Sequence, residues 1–143
     1  MSKEEEKKVR FFEFTNNESD TCKKARYWLN ENQVDYELIN LADKTVTPEE
    51  FERWINQSGL RNYELIKPGD DTLRDKTDGM SVKELADYLT AHLEDVKRPI
   101  IEINRTTILF GFEESKYAEH LGNRNERYMK EKNNDVKDDV DRF

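Results

Sequence analysis

Residues 9–41 show a pattern that permits few folds: a strand, an amphipathic helix and a second strand in immediate succession. VRFFEFT, Val9–Thr15, is rich in aromatic and branched residues and is typical of a strand. Helical spacing follows from Cys22 to Leu29, and VDYELINL, Val34–Leu41, alternates as a second strand. Because a connection of this length crosses over the sheet, the two strands are predicted to be parallel.

Residues that suit a helix N-terminus mark the start of the helix between these strands. Ser19 fits the N-cap position, and Asp20 places a carboxylate in the first turn, where the helix dipole favours negative charge. Cys22, the single cysteine of the chain, follows in the same turn. A thiol there ionises more readily because unpaired N–H groups favour a thiolate. Two interpretations stay open: a reactive thiol, or a small side chain packed beneath the helix.

A second helix is predicted in TVTPEEFERWINQSG. Thr47 is the predicted cap, Pro48 takes the first helical position, and Glu50 would complete a capping box. Gly59 is predicted to end this helix. Its inward face is predicted to consist of apolar residues at helical spacing, namely Phe51, Trp54 and Ile55.

A third helix is predicted to start at another capping box. Ser81 and Glu84 form this box, and the helix is expected to run to about Leu93. The preceding segment, ELIKPGDDTLRDKTDG, is predicted to be mostly loop, with one turn near Leu73.

The last part of the folded region is predicted to be a hairpin followed by a helix. PIIEI and TILFGF read as antiparallel strands joined by a tight connection at Asn104–Arg105. A final helix is predicted over residues 113–121, with Gly122 at its end. The element order is therefore β-α-β, a helical insertion, then β-β-α. This order predicts an α/β fold with a thioredoxin-like, mixed four-stranded sheet flanked by helices.

Composition and charge restrict the domain plan and the partners. With 143 residues the chain suits one domain. Residues 1–8 are predicted to be a charged extension, residues 9–122 the folded domain, and residues 123–143 a polar tail, disordered or partly helical. The net charge of −8 argues against direct nucleic-acid binding. Neither a signal peptide nor a membrane-spanning apolar run is visible, so we expect a cytoplasmic protein.

Few residues outside the first helix suggest chemistry. His92 and His120 are isolated, so no metal site is predicted. Arg98 precedes Pro99 at the start of a strand, and in this topology that proline lies opposite the first helix. An arginine there could bind an oxyanion with its planar fork. Arg74, on the predicted loop, could reach the same place. Each arginine could equally be a solvated surface charge.

Four segments together resemble the arsenate reductase/Spx family, over nearly all of residues 9–122. They are FTNNESDTCKKARYWL, TPEEFERWINQSG, TLRDK and VKRPIIEINRTTILFGFEESKYAEHL. Members of this family have the thioredoxin-like fold. They carry either one nucleophilic cysteine at the start of the first helix or a C-x-x-C pair.

The resemblance implies roles for particular residues. Aligning SDTCKKA on the family pattern places Ser19 at the nucleophilic position and Cys22 at the second cysteine position. In the reductases the nucleophile attacks arsenate held by arginines, and glutathione or another thiol completes the reduction. Arg98 matches the arginine before the proline, Pro99 lies at the same substrate site, and Arg74 matches a loop arginine.

The first hypothesis is therefore a thiol-dependent oxidoreductase of arsenate reductase type, with Cys22 as its sole redox atom. Ser19 would cap the helix and donate a hydrogen bond, and Arg98 would hold an anionic group. The substrate would be a small oxyanion or a thiol, with glutathione as co-substrate and no bound cofactor. Because serine is a far weaker nucleophile than a thiolate, Ser19 argues against true arsenate reduction.

The second hypothesis follows from the Spx branch of the family. Spx proteins bind the C-terminal domain of the RNA polymerase alpha subunit, and Gly59 lies where a glycine important to that contact falls. This chain would then be a noncatalytic regulatory protein that lacks the C-x-x-C redox switch. A third possibility is a degenerate relative that uses its acidic tail as a docking element.

Overall fold

A computed structural model of the chain describes residues 7–122. The predicted tail, and all of the predicted N-terminal extension except residues 7 and 8, lie outside the described residues. The described elements include four strands: β1 (Val9–Glu13), β2 (Glu37–Asn40), β3 (Ile100–Ile103) and β4 (Thr107–Phe110). The α-helices are α1 (Asp20–Glu31), α2 (Pro48–Ser58), α3 (Asp71–Thr77), α4 (Val82–Ala91) and α5 (Glu114–Leu121).

The strands form one mixed sheet in the order β2-β1-β3-β4. β1 and β2 are parallel, as the crossover predicts, while β3 is antiparallel to both β1 and β4. Asn104 and Arg105 both have positive φ, 55° and 63°, which suits the two central residues of a tight hairpin turn. The predicted fold class, an α/β sheet of thioredoxin-like topology with a helical insertion, is confirmed.

Local capping signals explain most of the helix boundaries. The hydroxyl of Ser81 accepts a hydrogen bond from the Glu84 N–H, and the Glu84 carboxylate accepts one from the Ser81 N–H, as the capping box predicts. Thr47 caps α2 through the Glu50 N–H. The other half of the predicted box is absent, because the Glu50 carboxylate instead contacts Arg10 and Arg53.

The prediction that residues 64–79 are mostly loop, with one turn near Leu73, is wrong for Asp71–Thr77, which form the helix α3. The Asp70 carboxylate accepts a hydrogen bond from the Leu73 N–H and so caps the helix. Leu73 and Thr77, one helical turn apart, are both buried. α4 ends at Ala91, and residues 93–95 continue as a 3-10 turn rather than as the predicted helix.

Two apolar layers cover the two faces of the sheet, because side chains alternate along each strand. Phe12 and Ile100 face α2, α3 and α4, where the Phe12 and Trp54 rings pack edge to face with centroids 4.9 Å apart. Phe11 and Ile101 face the other way, towards α1 and α5. α1 and α3 therefore lie over opposite faces of the sheet. Among residues 7–122, every helix is too short or too polar to cross a membrane.

Candidate functional site

The C-terminal end of β1 leads into the start of α1, where the sequence places Ser19 and Cys22. Ser19 is the N-cap, as predicted, and its Oγ accepts a hydrogen bond from the Cys22 N–H at 3.2 Å. Its backbone φ of −78° and ψ of 166° are extended, which is typical of an N-cap. The structure therefore accounts for Ser19 as a helix cap.

Cys22 is fully buried, with 0% of its surface exposed. It belongs to the apolar layer between α1, α5 and the sheet, together with Ala25, Leu29 and Phe11. Burial raises the pKa of the Cys22 thiol to about 11, because a thiolate would lose its hydration. The hydrogen bond from Ser19 lowers this pKa in part, and the neighbouring Glu13 carboxyl raises it further. This environment is that of a packed, unreactive thiol.

Sequence reasoning missed Glu13, the last residue of β1. Its side chain is 0% exposed and neighbours the Cys22 thiol. Within the described part of the chain, neither carboxylate oxygen has a partner with hydrogen-bond geometry, although Arg26 Nη1 lies 3.6 Å from Oε2. Strand alternation could have found it, since Val9, Phe11 and Glu13 share one face.

The pKa of Glu13 is raised to about 7, chiefly because burial disfavours the charged carboxylate. The nearby Glu18 carboxyl also raises it, while Cys22 and Arg26 lower it. Arg26 compensates only in part, because its guanidinium also bonds Glu18 Oε2 at 2.8 Å and the Tyr36 hydroxyl at 3.3 Å.

The predicted oxyanion-binding arginine, Arg98, lies near the C-terminal end of β1. Its peptide bond to Pro99 is cis. The guanidinium stacks 4.9 Å from the centre of the Phe14 ring, and its Nε donates to the Val96 carbonyl at 3.4 Å. The Arg98 guanidinium forms no ion pair with any residue in the range 7–122. It also forms no hydrogen bond with Cys22 or Ser19.

The cavity beside the Phe14 ring, on which Arg98 stacks, does not connect Arg98 with Cys22. It has a volume of about 370 Å³, and its lining contains neither Arg98 nor Cys22. The Pro99 carbonyl accepts a hydrogen bond from the Gly111 N–H at 2.7 Å. This bond continues the pairing of β3 with β4 by one residue beyond the ends of both strands.

The structure does not bring Arg74 together with Ser19 and Cys22. Arg74 lies on α3 rather than on a loop, and its guanidinium stacks 4.2 Å from the centre of the Tyr63 ring. α3 contributes Leu73 to the apolar layer on one face of the sheet, whereas Cys22 belongs to the layer on the opposite face. Tyr63 is the aromatic partner that sequence reasoning missed.

Gly59 ends α2 with a φ of +67°, in the left-handed region that favours glycine. A Cβ added there would meet no atom within 4 Å, so the position faces open space. Gly69 has the same two properties, with a φ of +85°.

One group of potential metal ligands occurs in the described part of the chain, at the end of α4. Donor atoms of His92, Glu94 and Asp95 lie within 4.8 Å of one another. The Asp95 carboxylate is already used, since it accepts the Tyr88 hydroxyl at 2.7 Å and pairs with Lys67 at 3.3 Å. The group lies outside the Ser19–Cys22 region.

Comparison with known proteins gives both negative and positive findings. No protein-family model matches the chain. Among curated proteins, the chain is 26% identical over 104 residues to the global transcriptional regulator Spx 2 of Bacillus cereus. This match covers 71% of the chain and 79% of the relative.

Solved structures share both the fold and part of the sequence. A Bacteroides fragilis protein described as ArsC family related is 28% identical, with a TM-score of 0.68 over 78% of this chain and 97% of its own. SACOL0876 of Staphylococcus aureus is 30% identical, with a TM-score of 0.65 over 78% of this chain and 96% of its own.

Proposed function

The chain belongs to the arsenate reductase/Spx family of thioredoxin-like proteins, and we propose that it acts as a noncatalytic regulatory protein of the Spx kind. It would work by binding a protein partner rather than by thiol chemistry. The observation that carries this proposal is the combination of a serine at the family's nucleophilic position with a sealed cysteine.

Both residues lack what a thiol-redox mechanism requires. To form a mixed disulfide, an ionised and accessible Cys22 thiolate would have to attack one sulfur of oxidised glutathione, whose S–S bond breaks and releases the other sulfur as a thiolate. Cys22 is 0% exposed and its pKa is raised to about 11, so the thiolate is scarce at neutral pH. A serine hydroxyl needs an adjacent general base to act as a nucleophile, whereas Ser19 is used as a helix cap.

Alkylation tests the state of Cys22 directly. At pH 8 we expect iodoacetamide to modify Cys22 in the native protein at least about 100-fold more slowly than in denaturant, because the thiol is buried and protonated. The matched control is Ser19→Cys, which places a second thiol at the half-buried helix cap. This variant is expected to gain one fast-reacting thiol.

Fast alkylation of Cys22 in the native wild-type protein would contradict the proposal. So would consumption of glutathione that depends on arsenate and is lost in Cys22→Ala. Either result would restore the oxidoreductase hypothesis, with Arg98 as the group that holds the oxyanion.

For the partner, we propose the C-terminal domain of the RNA polymerase alpha subunit, which would place the protein in the cytoplasm. Two points support this choice: the similarity to a global transcriptional regulator and the open surface at Gly59. A glycine at positive φ lets α2 end abruptly and leaves no side chain above the surface. A partner could therefore approach the backbone closely at this point.

Binding of a bacterial alpha C-terminal domain, measured by isothermal titration calorimetry, tests this partner. We expect wild-type protein to bind in the micromolar range and Gly59→Arg to lose at least about tenfold in affinity, because the new side chain blocks close approach. Gly69→Arg is the control, since Gly69 also has positive φ and open surroundings. Absence of binding by the wild type, or equal loss in both variants, would contradict the proposal.

A further inference from the structure

β4 is an edge strand, and no other strand among residues 7–122 pairs with its outer side. It is the last strand of the sheet, and the Gly111 N–H bonds the Pro99 carbonyl at 2.7 Å. In an antiparallel pair, inward and outward peptide groups alternate. From the register, Leu109 therefore bonds inward to β3, while the N–H and C=O groups of Ile108 and Phe110 point outward. Within residues 7–122 these outward groups have no partner.

A groove of about 290 Å³ runs along this open edge. Because the two helical layers lie over opposite faces of the sheet, each supplies one wall. The wall at the end of α2 contains Gln57, Ser58 and Leu60, and the wall from α5 contains Lys116, Tyr117 and His120. The edge is therefore the floor of a trough, which is the geometry by which domains accept an added strand.

The two walls differ in chemistry. Leu60 supplies an apolar surface on one side and packs against the core beneath. On the other side, Lys116 and His120 are one helical turn apart, and neither has an ion-pair partner within residues 7–122. Glu113 lines the groove at the N-terminal end of α5. A strand in the trough would present alternate side chains to opposite walls.

We propose that this groove binds an extended peptide segment of a protein partner, which adds to β4 as a further strand. Its backbone bonds the outward groups of Ile108 and Phe110. Its apolar side chains face Leu60, and its acidic side chains face Lys116 and His120. This interaction goes beyond the proposed binding of the polymerase subunit and does not depend on it.

Amide hydrogen exchange of the full-length protein, read by NMR, tests the proposal with an acetylated hexapeptide of alternating aspartate and valine. At saturating peptide we expect the Ile108 and Phe110 amides to exchange about tenfold more slowly, since they gain hydrogen bonds. The Leu109 amide, already bonded to β3, is expected to change little. The same peptide with N-methylated backbone amides is expected to give no protection.

Charge is tested with a lysine–valine peptide and with Lys116→Glu. We expect the lysine–valine peptide to bind less tightly than the aspartate–valine peptide, and Lys116→Glu to weaken aspartate–valine binding about fivefold. The control is Lys83→Glu, which reverses an exposed charge on α4. Unchanged exchange at Ile108 and Phe110, or equal binding of both peptides, would overturn the proposal. Protection that rises with protein concentration alone, together with dimers in sedimentation, would assign the edge to a second copy and also overturn it.

Discussion

Replacing Glu102 with glutamine is expected to lower the free energy of unfolding at neutral pH by about 3 kcal/mol. Glu102 lies on β3 and is only 1% exposed. Its carboxylate bonds Arg10 Nη1, Arg53 Nη2 at 2.7 Å and the Trp54 indole N–H at 3.2 Å. Glutamine would keep one acceptor, but Arg10 and Arg53 would then share only the Glu50 carboxylate among the described residues. The loss follows because removing one partner of a buried ion-pair network leaves positive charge less well compensated.

The pKa of Glu102 gives this prediction a pH dependence. Burial alone would raise the pKa, but the hydrogen bonds from Arg53 and Trp54 and the charge of Arg10 hold it below its usual value of 4.5. A carboxyl whose pKa is lower in the folded state stabilises the fold above its unfolded pKa. That stabilisation is lost as the pH falls through the folded pKa. The difference between wild type and variant is therefore expected to shrink below about pH 4.5.

Urea denaturation at several pH values measures both effects. Glu49→Gln is the control, since Glu49 is an exposed residue in the first turn of α2. Its effect is expected to stay within about 0.5 kcal/mol. If Glu102→Gln proved as stable as wild type at pH 7, the network between β1, β3 and α2 would contribute no net stability.

Sequence reasoning succeeded where structure depends on neighbours along the chain. The Ser19 and Ser81 caps, the stop at Gly59 and the turn at Asn104–Arg105 each depend on a few adjacent residues. The parallel pairing of β1 with β2 followed from the length of their connection. These local signals were sufficient to predict the sheet and most of the helices.

Sequence reasoning failed where the outcome depends on residues far apart in the chain. The segment ELIKPGDDTLRDKTDG was predicted to be mostly loop, yet Asp71–Thr77 form α3, in which Leu73 and Thr77 are buried. The Asp70 cap was the local signal that could have revealed α3.

The state of the site was equally beyond local prediction. The position of Cys22 in the first helical turn left two interpretations open, a reactive thiol and a packed side chain, and only the structure shows that the neighbouring elements cover it completely. The resemblance to the family predicted that Arg74 would join the site of Cys22, yet Arg74 lies on α3 and stacks on Tyr63. The burial of a side chain, and the face of the sheet on which it lies, depend on how the helices pack on the sheet. The residue types alone therefore did not determine them.

Glu13 is expected to make the protein less stable as the pH rises, by about 3 kcal/mol between about pH 4 and about pH 8. The unfolded chain should ionise this carboxyl near its ordinary value of 4.5, whereas the folded protein holds the proton until about pH 7. A carboxyl whose pKa is raised on folding contributes its full stability below the unfolded pKa. The contribution decreases as the pH rises and is lost above the folded pKa.

Glu13→Gln isolates this contribution, because glutamine is neutral at every pH. The Glu13→Gln curve of unfolding free energy against pH should lack the decline that Glu13 causes, so its advantage over wild type grows from acidic to alkaline pH. At pH 8 the variant is expected to be more stable than wild type by less than the full change of about 3 kcal/mol. The reason is that a buried amide without partners itself costs about 1–3 kcal/mol. The slope is therefore the decisive quantity.

The control for this comparison is Glu37→Gln, on β2, where the side chain is exposed. We expect its curve to parallel that of the wild type. Parallel curves for wild type and Glu13→Gln would mean that the Glu13 carboxyl ionises near its ordinary pKa in the folded protein. That result would require a hydrogen-bond donor or water at the Glu13 oxygens. Such a polar environment would also reopen the question of whether the adjacent Cys22 thiol can ionise, because burial is the main cause of both raised pKa values.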